Sequence, residues 1–345
     1  MVPDEGDAGG VAHTIADVNA AIAPRRWSVI GWYAQARPGT PFDGSQITGL
    51  IPDLVASRAV FEAAVMPTGG FAGFTEADSS QAINVCTVMK RFTDAGIPTR
   101  LRFAHECNWY VTDGTYTGTL ADCNSSFTVV ARTCRKLAPA VFMFLSPNVA
   151  GDGMATYRQL APDDASLVDV CGIDMYPQQR PSATTFLDTH LEFHDFCASR
   201  NASYSIAEAG LGYDASLTDK LEWFQQMTSP EVAAKMTSYR SCSWFNFYKG
   251  HDMRVIEPGN GATNAQAVKA LGLDGPAGSP AHTFSAALRA SAPPSKPLRP
   301  TTASVTSTMT LSAAPGSGWS RFRSLDGAVL VWSLLVSCGL RHFAL

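Results

Sequence analysis

The chain has 345 residues, 46% of them hydrophobic, which is enough apolar material for one large barrel or two ordinary domains. A net charge of −4 with no long basic block excludes nucleic acid as a natural partner, because phosphate recognition concentrates lysine and arginine. Charged residues at only 16% and aromatics at 10%, with abundant Gly, Pro, Ser and Thr, give the balance of a secreted enzyme more than of a cytosolic one.

In chain order, "VAHTIADVNAAIA" (11–23) reads as a helix, "RWSVIGWYA" (26–34) as a strand, and "SQITGLIPDLVAS" (45–57) as a helix interrupted by Pro52. A strand is expected at 59–67 and a helix at 79–96, closed by Gly96. The next strand is 97–104, followed by a helix at 125–138 and strands at 140–148 and 167–177. A helix at 183–200, a strand at 203–210, a helix at 216–228 and a strand at 241–250 complete the pattern. Short apolar strands alternating with amphipathic helices predict a parallel sheet with helices outside it. Seven strands over this length predict a (β/α)8 TIM barrel lacking its first strand, since residues 1–10 suit no strand. The alternative is an open doubly wound sheet, but no GxGxxG turn follows any strand.

Eight cysteines form no CxxC pair and none stands near a histidine at finger spacing, so no metal site is expected. They fit disulfides in an exported protein and equally reduced core residues. Sequons at Asn124 and Asn201 fit an exported glycoprotein. The start, "MVPDEGDAGG", has no signal peptide, which reads as a chain that begins late. Residues 291–318 form a Ser/Thr/Pro-rich linker, and 319–345 join a polar spacer to an apolar tail. That end matches a GPI-attachment signal with Gly316 or Ser317 as attachment point, or else a wrongly joined final exon. The barrel is thus assigned to 1–290.

In such barrels reactive side chains gather at the carboxyl ends of the strands. Reading those ends gives Trp32 and Tyr33, then His105, Glu106 and Asn108, then Ser146 and Asn148, Asp174 and Tyr176, Glu208, and Trp244 with Asn246. Glu106 and Glu208 both terminate apolar strands, and a barrel can face them across one cleft. Two facing carboxylates among Trp, Tyr, His and Asn suit glycoside hydrolysis, one protonated to donate and one ionised to attack. Aromatic walls would raise one pKa while hydrogen bonds hold the other group charged.

The segment "RFAHECNWY" (102–110) resembles the R-P-x-H-E-x-N-G-x-W segment of glycoside hydrolase family 26, a retaining (β/α)8 family that includes β-mannanases. "FLSPN" (144–148) resembles its W-S-P-N, "APDDASLVDVCGIDMYP" (161–177) its P-G-D-D-x-x-V-D-x-V-G-I-D-x-Y run, and "IAEAG" (206–210) its nucleophile strand. The resemblance spans about residues 11–250 and implies Glu106 as acid/base and Glu208 as nucleophile. It implies substrate contacts from His105 and Asn108, a hydrogen bond from Tyr176 to the nucleophile, and Trp244 as floor of the −1 sugar. Trp32 and Trp109 are further candidates for substrate contact, with Arg102, Asn148 and Asp174 in supporting positions. Arg102 would keep Glu208 ionised. Phe103 stands where the family has proline and Trp109 where it has glycine, departures that bear on mannan specificity more than on mechanism.

Other motifs carry less. "HLEFH" (190–194) lacks the glutamate position of HExxH and reads as the solvated face of an outer helix, and no G-x-S-x-G elbow is present. Cys107 beside Glu106 reads as half of a loop disulfide, with Cys123 as candidate partner. The expectation is a monomeric, extracellular or surface-anchored retaining hydrolase of β-linked polysaccharide, mannan or β-glucan. It needs no cofactor and no metal, and meets a membrane only through a GPI anchor. The alternatives are a catalytically silent carbohydrate-binding barrel and an open nucleotide-using enzyme, the latter disfavoured by the missing phosphate-cradling turn.

Overall fold

The computed structural model describes residues 13–273. The domain limit at 290, the 291–318 linker, the 319–345 tail and the unsuited first ten residues lie outside the described residues.

The chain enters through α1 (Ile15–Ala20), whose N-terminal donors are satisfied by a Thr14/Asp17 capping box, and continues into β1 (Val29–Ala36). The expected single helix at 45–57 is two, α2 (Ser45–Thr48) and α3 (Ile51–Ser57). Pro52 falls in the first turn of α3, where its missing N–H has no partner to lose, so it starts a helix rather than interrupting one. Then follow β2 (Val60–Pro67), α4 (Ser80–Asp94), β3 (Thr99–Phe103), α5 (Cys107–Thr112) and α6 (Leu120–Leu137). Next come β4 (Val141–Leu145), α7 (Met154–Leu160), β5 (Val170–Cys171), α8 (Thr185–Ser199) and β6 (Ser203–Ala209). The described chain closes with α9 (Leu217–Met227), α10 (Pro230–Lys235), β7 (Tyr239–Trp244), a β8 (Tyr248–Lys249) and β9 (His251–Asp252) hairpin, and α11 (Gly261–Ala270). Capping boxes recur at α6 (Thr119/Asp122) and α9 (Ser216/Asp219).

Strands β1 to β7 pair in chain order, every pair parallel, giving among the described residues a curled sheet of (β/α)8 type with seven strands. β5 is the shortest, and isolated bridges Asn148↔Asp174 and Met175↔Ala209 carry its alignment upward to the site. Gly172 is obligatory there: a Cβ on it would lie 1.6 Å from the Ser205 carbonyl oxygen of β6.

The layer between sheet and helices is aromatic, as in the Phe61–Phe92 stack at 4.6 Å and the Phe74–Phe103 contact at 4.7 Å. His190 and His194 belong to this layer, with 0% and 2% exposure, which corrects the solvated-face expectation. His190 Nδ1 meets the Tyr204 hydroxyl at 3.0 Å, and His194 Nε2 accepts from the Ser238 amide at 3.1 Å. Their four-residue spacing therefore marks the inner face of α8, where burial holds His190 neutral with a pKa of about 3. Two disulfides tie the outer layer, Cys86–Cys134 between α4 and α6, and Cys107–Cys123 between α5 and α6.

The barrel interior holds buried charge beside an apolar cluster of Phe144, Val170 and Ala207. Alternation along β3 turns Arg100 and Arg102 inward while Phe103 packs outward on Phe74. Arg100 donates to Glu62 of β2 (2.5 Å) and to Ser241 of β7 (2.8 Å), and Ser243 of β7 donates to Glu62 (3.0 Å). Side chains, rather than backbone ladder bonds, thus join β7 to the β2–β3 side of the barrel. Among the described residues no helix is long and apolar enough to cross a membrane.

The Arg100→Met variant leaves Glu62 buried without its counter-charge and is expected to lose about 3–5 kcal/mol of stability by urea unfolding. The double variant Glu62→Met, Arg100→Met removes both charges and is expected to lose clearly less. Equal losses would contradict a paired interior.

Candidate active site

The second inward arginine of β3 organises the upper end of the barrel. Arg102 Nη1 donates to Glu208 Oε1 (2.8 Å), its Nη2 to Asp174, and its Nε to Ser146 Oγ (3.0 Å). The guanidinium therefore draws together the ends of β3, β4, β5 and β6. Asp174 in turn accepts the Glu208 amide (3.1 Å), fixing the backbone that carries Glu208. Tyr176 donates its hydroxyl to Glu208 Oε2 at 2.7 Å.

Glu106 reaches the same space by an unusual turn. After β3, Ala104 (φ 50°) and Glu106 (φ 49°) both adopt left-handed backbone, at a cost of roughly 1–3 kcal/mol each. The turn is held by the Glu106 amide donating to the Ser146 carbonyl (2.7 Å) and by the Cys107–Cys123 disulfide just beyond it. One carboxylate oxygen from each of Glu106, Asp174 and Glu208 lies within 4.8 Å of the others, all three groups buried. Such a trio could ligate a cation by geometry, but Arg102 already supplies positive charge to two of its members.

The two glutamates are driven apart electrostatically. Burial, reinforced by the negative charge of Glu208, raises the Glu106 pKa to about 7. Its one hydrogen bond from a side chain, Asn148 Nδ2 to Oε1 at 2.8 Å, opposes this only partly. Glu208 experiences the same burial, but the Arg102 charge, helped by the Tyr176 hydroxyl, outweighs it and holds the group at about 2. His105, 3.7 Å from Glu208 Oε1, is buried and pressed by the charge of Arg102, so its pKa falls to about 3 and the ring is neutral at neutral pH. Burial raises Asp174, and the adjacent Arg102 charge works against that rise.

The remaining sequence candidates separate into two groups. His105 sits between Tyr33 and Tyr110 (5.4 Å to each) in direct reach of Glu208. Trp109, 52% exposed, stands on α5 just after Glu106. Trp32 is half-buried and lies with Phe245, Phe247, Met253, Tyr33 and Tyr176 in one apolar cluster near the carboxylates. Asn108 does not offer its amide to the cleft: it exchanges two bonds with the Asn148 backbone, both 2.9 Å, and thereby aims Asn148 at Glu106. Trp244 points to the other side of β7, its ring 5.9 Å from Phe224 of α9 and its Nε1 donating to the Met253 carbonyl. The alternation that sends Ser243 to Glu62 inside the barrel sends Trp244 outward, so it does not floor a sugar site. The aromatic that occupies that side is Phe245, edge-on to Tyr176 at 5.7 Å with the Lys249 ammonium 6.0 Å above it. Asn246 likewise is structural, accepting from the Val255 and Ile256 amides and donating to the Ile256 carbonyl. The sequence places Tyr33 at a strand end without giving it a role, and Phe245 and Lys249 are site neighbours it does not mark, their position at the end of β7 and in β8 being the available signal.

No protein-family model matches the sequence, and no curated protein matches it. Among solved structures, the chain is similar to the catalytic domain of a GH26 endo-β-1,4-mannanase from Bacillus sp. JAMB-750, with TM-score 0.56 and 17% identity over 78% of this chain and 84% of that one. It is similar to the modular endo-β-1,4-mannanase of Cellulomonas fimi, with TM-score 0.53 and 17% identity over 74% of this chain and 65% of that one. A fungal β-1,4-galactanase gives TM-score 0.52 and 14% identity over 75% of this chain and 92% of that one. What is shared with all three is the (β/α)8 fold.

A raised carboxyl pKa has a stability signature. Glu106 binds its proton more tightly folded (about 7) than at its ordinary value of 4.5, so the stability it contributes is full below 4.5 and lost as pH rises through 7. Glu106→Gln removes that loss and is expected to stabilise the protein by up to about 3 kcal/mol at pH 8, with the gain vanishing near pH 4. Unfolding curves across this range check it; a gain that does not grow with pH would show that Glu106 is not buried against a charge.

Proposed function

We propose that this protein is a retaining glycoside hydrolase of the family-26 type, acting on a β-linked polysaccharide of the mannan or β-glucan kind. The observation that carries the reading is the pair itself: Glu106 and Glu208 oxygens lie within 4.8 Å, in surroundings that push the Glu106 pKa up to about 7 and the Glu208 pKa down to about 2. Retaining enzymes place their carboxyl groups about 5–5.5 Å apart, whereas inverting ones leave about 6.5–9.5 Å for a water. The fold shared with mannanases and a galactanase supports the same reading.

In this mechanism Glu208 attacks the anomeric carbon as the glycosidic bond breaks, and Glu106 gives its proton to the departing oxygen. The ester so formed is then cleaved by water, whose proton returns to Glu106, regenerating both groups. Arg102 and Tyr176 keep Glu208 charged before attack. Loss of the Glu208 charge on ester formation weakens the field that raises Glu106, so Glu106 becomes a better acid and then a competent base. Neutral His105 can bond a sugar hydroxyl without adding charge, and Trp109 with the Trp32–Phe245 cluster offers aromatic faces to sugar rings. The sequons and the apolar tail that ends residues 319–345 support an extracellular or surface-anchored protein.

Glu208→Gln is expected to lower kcat by on the order of 10³-fold or more on every glycoside. Glu106→Gln is expected to lose about 10²–10⁴-fold on polysaccharide while keeping the first step on an aryl glycoside whose leaving group needs no acid. Full activity in either variant would exclude its assigned role, and sugar binding with no product from the wild type would favour a silent binding protein. The pH profile of kcat/KM should fall as pH rises through about 7, where Glu106 loses its proton, and hold on the acid side until Glu208 protonates toward 2. A profile flat from pH 5 to 9 would contradict the assignment.

A further inference from the structure

The two sequons differ in what folding has done with their side chains. Asn124 lies on α6, and its Nδ2 spends both hydrogens on carbonyls at the end of α7, Gln159 (2.8 Å) and Ala161 (2.9 Å). Ser126, the hydroxyl residue of that sequon, is 2% exposed. The preceding residue, Cys123, is disulfide-bonded to Cys107. A sugar on Asn124 Nδ2 would replace one of those hydrogens and sit where α7 meets α6, so a molecule modified there could not close this packing.

Asn201 is the opposite case. It is exposed, and it holds the left-handed turn position (φ 62°) between α8 and β6 that asparagine tolerates better than most residues. Its backbone N–H donates to the Ala198 carbonyl (3.0 Å), and its exposed side chain has none of the packing duties of Asn124. Ser203 opens β6 and is half-buried rather than sealed in the core. Glu208 lies five residues further along β6, so Asn201 is at the other end of the strand, about 20 Å from the carboxylates.

We propose that Asn201 is an N-glycan acceptor and that Asn124, despite its sequon, carries no glycan in the folded protein. The step joins Asn201 Nδ2 to C1 of the first N-acetylhexosamine of a lipid-pyrophosphate-linked oligosaccharide. The C1–phosphate bond breaks, the lipid pyrophosphate leaves with the bonding electrons, and the amide gives up one proton. A glycan at this end covers the α8–β6 corner and leaves the carboxylate end open. The inference rests on the extracellular part of the functional reading and is independent of which bond the site cleaves.

The test is secretion of the full chain behind a heterologous leader from a yeast host, followed by glycopeptide mass mapping after enzymatic deglycosylation in heavy-oxygen water. The wild type is expected to be labelled at residue 201 and unlabelled at 124. Asn201→Gln and Ser203→Ala, which keeps the asparagine, should each abolish the mobility shift at 201, with unchanged hydrolysis wherever the wild type hydrolyses. Label at 124 in the secreted folded protein, or no label at 201, would overturn the proposal. Because the readout is a mass and not a rate, it stands or falls separately from the catalytic assignment.

Discussion

The arrangement at the upper end of the barrel depends on one buried guanidinium. Arg102 is 2% exposed and meets two carboxylates and a serine hydroxyl, while a third carboxylate, Glu106, lies close by. One positive charge cannot balance three negative ones in a low-dielectric space, so the cluster favours retaining a proton. Arg102 bonds Glu208 directly and leaves Glu106 to a neutral amide, so of the two glutamates it is Glu106 that keeps a proton more readily. The division of labour between a proton donor and an anionic partner thus follows from which carboxylates the arginine can touch.

Strand geometry delivers that arginine. Residues two apart on β3 face the same way, so Arg100 and Arg102 stack as two charged layers inside the barrel, each matched to carboxylates from neighbouring strands. The lower layer links β2, β3 and β7, and the upper layer links β3, β4, β5 and β6. Glu106 then needs a turn that folds back over the upper layer, and two left-handed non-glycine residues provide it. Ser146 serves both ends of this design, its hydroxyl accepting from Arg102 and its carbonyl from the Glu106 amide.

Much of this was legible in the sequence because strand ends are marked by a change in side-chain chemistry. "TRLRFAHE" and "SYSIAE" each carry a strand to a carboxylate at its end, and the parallel order of the strands does the rest. Phase was harder to read than position. In "SCSWFNF" aromatics occupy both alternating faces, so nothing local says that Trp244 looks outward and Phe245 inward; the partners Phe224 and Tyr176 decide it. His190 and His194 were misjudged for a related reason, since a polar side chain on an amphipathic helix can be buried if a tyrosine or a backbone amide waits for it. The role of Asn108 was hidden because its partner, the Asn148 backbone, lies forty residues away. Cys86–Cys134 was equally silent, its spacing matching no local motif.

The central claim is that burial and one arginine hold two nearby glutamates in opposite protonation states. Difference infrared titration of protein carrying ¹³C-labelled glutamate, with Glu106→Gln and Glu208→Gln as assignment controls, measures this without any substrate. A carboxylic-acid band belonging to Glu106 that disappears near pH 7, with Glu208 ionised at every pH down to the acid limit of the fold, is the expected result. Both groups titrating together between pH 4 and 5 would contradict it.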